Sequence, residues 1–85
     1  MAGKRVRLAG IRQSSHRART ARGESMLFFT LEDLEGMIEV VFFPDVYRRV
    51  KNELSTNQPV LISGVVEVDA ESGEPVLRAE RVERI

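Results

Sequence analysis

The chain has no cysteine, one histidine and no apolar run approaching the ~20 residues that a bilayer span needs. Without cysteine there are no disulfides and no thiolate metal sites, and the composition suits a reducing compartment. His16 and the scattered carboxylates show no metal-ligand spacing, so no cofactor or metal is expected. The N-terminus lacks the apolar segment of a signal peptide, and a soluble, cytoplasmic protein with no membrane contact is expected. Length excludes more. A chain of 85 residues makes a single domain spanning 1–85. A domain of that size buries only about 60–65% of its unfolded surface, which leaves no room for a large catalytic cleft.

Acidic residues are also missing from one region. Residues 1–22 hold Lys4, Arg5, Arg7, Arg12, Arg17, Arg19 and Arg22 and no Asp or Glu, so a net charge of +0 divides into a first quarter at +7 and a remainder at −7. Such a split points to an anionic partner at the basic end rather than to a surface that attracts polyanions everywhere.

What is present is period-two patterning. In residues 26–43, Leu27, Phe29, Leu31, Ile38, Val40 and Phe42 alternate with Phe28, Thr30, Glu39 and Val41 around a turn at Asp33-Leu34-Glu35-Gly36. This predicts a β-hairpin with the first set buried. Phe28 then falls on the face that should be wet, where an aromatic ring usually has something to lie against.

Upstream, residues 4–14 read as a first strand with Val6 and Leu8 inward. Gly10 is expected to mark a bulge or barrel bend, after which Arg12 faces outward. Residues 15–25 lack apolar periodicity and are expected to form a long, exposed, mobile loop. Downstream, Pro44 and Asp45 start a helix over 44–54 with Val46, Tyr47, Val50 and Leu54 on one stripe. Residues 55–58 end it, with Asn57 able to turn left-handed. Residues 59–69 form a fourth strand with Val60, Ile62, Gly64, Val66 and Val68 on one face. Residues 70–74 are a hairpin turn, and 75–85 are a fifth strand with Leu77, Ala79 and Val82 inward and Arg78 outward. Five short strands with one helix between the third and fourth is the element order of an all-β, five-stranded OB-fold Greek-key barrel.

Specific residues then resemble a known family. Leu8-Ala9-Gly10-Ile11, the basic segment ending in Gly23, Phe29-Thr30-Leu31-Glu32-Asp33, Gly36, Glu39-Val40-Val41-Phe42, Phe43-Pro44-Asp45-Val46-Tyr47 and the 60–66 segment with Gly64 occur in order over nearly the whole chain. Together they resemble the nucleic-acid-binding OB domain of the tRNA-anticodon and helicase type. The likeness is strongest to the version near the C-terminus of the bacterial DNA polymerase III alpha subunit and its error-prone paralogue. The resemblance implies a non-enzymatic domain associated with single-stranded DNA near the template, with other polymerase domains or replication proteins as further partners. In the related anticodon-binding domains, the residues matching Phe28 and Glu39 lie on the RNA-binding face. Two departures stand out. Glu39 stands where a neutral polar residue would better suit tRNA bases, which disfavours an anticodon role, and the turn at 69–74 is acidic, so binding should lean on the first loop.

From these readings the candidate site comprises Arg12, Arg17, Arg19 and Arg22 for phosphates and Phe28 for base stacking. Thr30 and Glu39 lie on the same face, Arg7 and Arg78 border it, and His16 supplies a donor or second ring. Tyr47 is expected to seal the helix against the barrel, and Phe43 to pack at the helix entry. Glu32, Asp33 and Glu35 fit turn chemistry, because no nucleophile, base or glycine-rich phosphate cradle accompanies them. The expected function is single-stranded DNA binding, with RNA a lesser partner. The alternative is an OB domain used for protein contact or as a spacer in a replication assembly.

Overall fold

The structure, a computed structural model, describes residues 3–33, 35–55 and 58–85. Strands β1 (Lys4–Arg19), β2 (Ser25–Asp33), β3 (Gly36–Phe42), β4 (Val60–Val68) and β5 (Pro75–Arg84) close into one barrel in the order β1-β2-β3-β5-β4. Neighbours run antiparallel except β3 and β5, which pair in parallel with Val40 opposite Leu77. Helix α1 (Pro44–Val50) and a 3-10 turn (Glu53–Ser55) link β3 to β4. This is the five-stranded OB barrel that the element order predicts. No helix among the described residues is long and apolar enough to cross a membrane.

β1 closes the barrel by serving two partners in turn. Lys4 to Gly10 pair with β4, and Ile11 to Arg19 pair with β2. The handover falls at Gly10, where a Cβ would run into the backbone carbonyl of Glu32. Glycine is needed there for close approach of two backbones, not for a positive φ. Gly64 plays the same part against the Arg78 carbonyl.

The interior follows the alternation. Phe29, Leu31, Val40, Phe42, Ile62 and Leu77 are at most 2% exposed, and Phe29 meets Phe42 edge-on at 5.0 Å. Val50 and Leu54 are buried with them while Val46 and Tyr47 pack on top, so the helix stripe stops one end of the barrel. Each large apolar side chain fully buried this way contributes about 1.5–3 kcal/mol, enough to hold a seven-residue helix that would not form alone.

Three expectations change. First, residues 15–25 are not a long loop. β1 continues to Arg19 and β2 begins at Ser25, leaving a turn over 20–24 closed by Thr20 N–H to Glu24 O (2.8 Å) and Gly23 N–H to Thr20 O (2.9 Å). Thr20 Oγ1 accepts from the backbone of Arg22 and Glu24, and Gly23 takes φ +80°, so the turn is tied internally. A polar segment lacking apolar periodicity is held as strand because β2, fixed by the core, offers it a full ladder of backbone hydrogen bonds. Second, the helix runs only to Val50 before the chain tightens into the 3-10 turn. Third, Val68 is 52% exposed rather than inward. The proposed left-handed Asn57, and Leu34 of the hairpin turn, lie outside the described residues.

Candidate nucleic-acid interface

A bulge decides which side chains meet. Arg12 pairs with Leu31 and Ser14 with Thr30, so Gln13 is the extra residue in β1, its amide bonded to Glu32. Before Gln13 the even-numbered residues Val6, Leu8, Gly10 and Arg12 share the inward phase. After it the odd-numbered Ser15, Arg17 and Arg19 do, opposite or beside inward Phe29 and Leu27. The even-numbered Ser14, His16 and Ala18 therefore face outward.

On the outer wall, His16, Phe28, Val41, Arg78 and Val65 lie in register across five strands. The His16 and Phe28 rings are stacked at 5.3 Å, 12° from parallel. Val41 and Val65 are only 7% and 8% exposed although they are not part of the core cluster; Val41 stands between Phe28 and Arg78, and Val65 beside Arg78. The adjacent row is Ser14, Thr30, Glu39, Val76 and Glu67. Arg78 is held by Glu67, its Nε buried and 3.5 Å from the carboxylate without forming a hydrogen bond. The result is an aromatic and aliphatic ledge with a guanidinium between its two valines and carboxylates along one side.

The basic residues divide between walls. Arg12 does not face outward as expected. Its Nη1 donates to the Leu54 carbonyl at 2.7 Å, which bolts β1 to the 3-10 turn. The error is one of phase: a bulge at Gly10 would have turned Arg12 out, whereas the bulge at Gln13 leaves it in. Arg17 and Arg19 share that inward phase, away from Phe28, so the ring and the arginines do not form one groove. Arg19 donates to Gly23 O at 2.9 Å within the turn, and Arg22 is exposed at the tip. Arg7 pairs with Ser63 on the β1–β4 side of the barrel and lines a hollow with Glu80 and Arg81, separated from the ledge. The structure thus brings together His16, Phe28, Thr30, Glu39 and Arg78, and sets Arg7, Arg12, Arg17 and Arg19 elsewhere.

The acidic turn after β4 is occupied with itself. Asp69 accepts from the Glu71 backbone and the Ser72 hydroxyl, and its own N–H bonds Glu74 O. Sequence reasoning did not single out Val41 and Val65. Their signal was the Val-Val pairs at 40–41 and 65–66, where one of two adjacent valines must face outward on a strand.

Comparison with known proteins places the chain in a class first. Residues 6–85 match the family described as OB-fold nucleic acid binding domain, and the chain belongs to that family, a binding fold rather than a catalytic one. Among its relatives is the error-prone DNA polymerase of Symbiobacterium thermophilum, 31% identical over 81 residues that cover 95% of this chain and 8% of the polymerase. The DNA polymerase III subunit alpha of Pseudomonas aeruginosa is 33% identical over 75 residues, 88% of this chain and 6% of the subunit. The chain therefore spans less than a tenth of these relatives. In fold it resembles the small single-stranded DNA-binding protein from Streptomyces coelicolor, with TM-score 0.73, 15% identity and coverage of 100% and 95% of the two chains.

Proposed function

We propose that this domain binds single-stranded DNA, in preference to RNA, on the outer wall of β2 and β3, as a non-enzymatic module of a replicative or error-prone type of DNA polymerase. The stacked pair of His16 and Phe28 carries this reading. A base added to that stack meets a ring already held in place, with Val41 beside it and the Arg78 guanidinium one strand further along. Stacking of this kind accepts any base, as a template-side module requires, and is worth about 1–3 kcal/mol per base. The polymerase relatives and the likeness in fold to a protein named for single-stranded DNA binding support the choice of ligand.

The test is a fluorescence-anisotropy titration of labelled oligo(dT) at low and moderate salt. Saturable, salt-weakened binding that drops on Phe28→Ala is expected. Absence of binding at low salt, or binding indifferent to Phe28, would overturn the proposal.

One observation favours a second reading, contact with protein. Ile11 and Ile85 are 48% and 72% exposed and line an open, mainly apolar hollow with Ala9 and Pro59, around the barrel from the ledge. If the oligonucleotide does not bind, this face becomes the functional surface.

A further inference from the structure

We infer a second nucleotide subsite on the opposite face of the β1–β2 ribbon, in the cleft between β1 and α1. There one phosphate sits between Arg17 and Lys51 and one base lies against Tyr47. This rests on the single-strand reading above and extends it around the ribbon's edge.

The cleft exists because of the Gln13 bulge, which turns Ser15 and Arg17 toward α1. It has a volume of about 480 Å³, with Leu27 and Leu54 as apolar floor, Tyr47 on one wall, and Ser15, Asn52, Arg17 and Lys51 as polar groups. It adjoins a second hollow of about 310 Å³ that shares Arg17, Tyr47 and Lys51. An apolar floor with a few convergent polar groups, at volumes within about 300–1,000 Å³, is the usual make-up of a small-ligand site.

Charge narrows the ligand. Arg17 and Lys51 are exposed and make no ion pair among the described residues. Arg48, lining the second hollow, is held instead by Asp45 at 2.9 Å and Glu24 at 3.5 Å. Glu24 is the one carboxylate among the residues lining the two hollows. Two uncommitted cations beside a half-buried ring suit a phosphate joined to a flat base better than a peptide carboxylate, which has no use for the ring.

The route from the first site is short. Beyond Gly10, β1 pairs only with β2, so it is a free edge one strand wide. His16 stands on that edge, stacking on Phe28 on the outer side and also lining the cleft. A strand that stacks on Phe28 can pass His16 and enter the cleft without leaving the ribbon.

Tyr47 is the single tyrosine in a chain without tryptophan, so intrinsic emission reports this cleft alone. The test titrates the full chain with unlabelled oligo(dT), following tyrosine emission corrected for absorption by the bases, alongside anisotropy of labelled oligo(dT). Quenching that saturates over the same concentration range as the anisotropy is expected. The Arg17→Ala/Lys51→Ala pair, or Arg17→Gln/Lys51→Gln if circular dichroism shows misfolding, should lose most of the quenching. Loss of one phosphate contact should flatten the slope of log K against log salt by about 0.7. Phe28→Ala should weaken binding yet keep the quenching at saturation. Anisotropy change with unaltered tyrosine emission overturns the cleft and leaves the outer-wall site standing. No anisotropy change overturns both. Quenching by poly-glutamate but not by oligo(dT) overturns the nucleotide in favour of an acidic protein segment.

Discussion

The rings of His16 and Phe28 lie 5.3 Å apart and 12° from parallel, held opposite each other by the β1–β2 ladder. The backbone fixes this pair before any ligand arrives, so the entropy of ordering the ledge is already spent in folding. A third ring can join at little further cost. The consequences of this arrangement, and of the bulge that produces it, are measurable.

Phe28→Ala should reduce affinity for oligo(dT) by about 1–3 kcal/mol, a factor of roughly 5 to 150. Thermal stability should fall far less than on Phe29→Ala, the neighbour that is 2% exposed, where emptying a core site costs about 3–5 kcal/mol. Parallel anisotropy and thermal melts of the two variants check this. Equal loss of stability would show that Phe28 is a structural residue.

Glu67→Gln should tighten binding. Glu67 holds the Arg78 Nε at 3.5 Å in a half-exposed pair and adds negative charge to the wall where phosphates would run. Such pairs are worth only about 0–1 kcal/mol, so freeing the guanidinium should strengthen the complex up to about fivefold with little change in melting temperature. Affinity for oligo(dT) at low salt, with Glu67→Gln and Arg78→Ala side by side, checks the direction of both effects.

Arg12→Ala should act on stability and not on the ligand. Its bond to the Leu54 carbonyl is partly buried, and its loss should cost about 1–3 kcal/mol by stranding that acceptor. The salt slope of oligonucleotide binding should not move. Denaturant unfolding together with salt-dependent anisotropy separates this from a phosphate contact, which would flatten the slope and spare stability.

Gly10→Ala should destabilise the barrel by at least about 1–3 kcal/mol, because the added methyl meets the Glu32 backbone where no side-chain rotation relieves it. Gly23→Ala, in open space at φ +80°, should cost less and act only through the turn. Thermal unfolding ranks the two.

Much of this was legible in the sequence. The alternation in residues 26–43 placed Leu27, Phe29, Leu31, Val40 and Phe42 inside and Phe28 outside, because a strand with one buried face cannot slip by one residue without inverting every side chain. The proline and aspartate at 44 and 45 and the stripe to Leu54 likewise located the start of the helix and its packing face, though not its end at Val50. The ribbon of residues 15–19 was not legible, since Ser-His-Arg-Ala-Arg carries no apolar period and becomes strand only through pairing with β2. The bulge was equally hidden. Gly10 looked like the irregularity, yet glycine there answers to a close backbone approach, and Gln13, an ordinary polar residue, is the one left unpaired. That three-residue error put Arg12 on the wrong wall, while Arg17 was misplaced because its segment was read as a loop.

The most direct test of the outer-wall site is an amide NMR titration of the domain with oligo(dT). Shifts should centre on Phe28, Thr30, Val41 and Arg78 and extend through His16 along the edge of β1. Shifts confined to Ala9, Ile11 and Ile85, or none at all at low salt, would contradict a nucleic-acid role for the ledge.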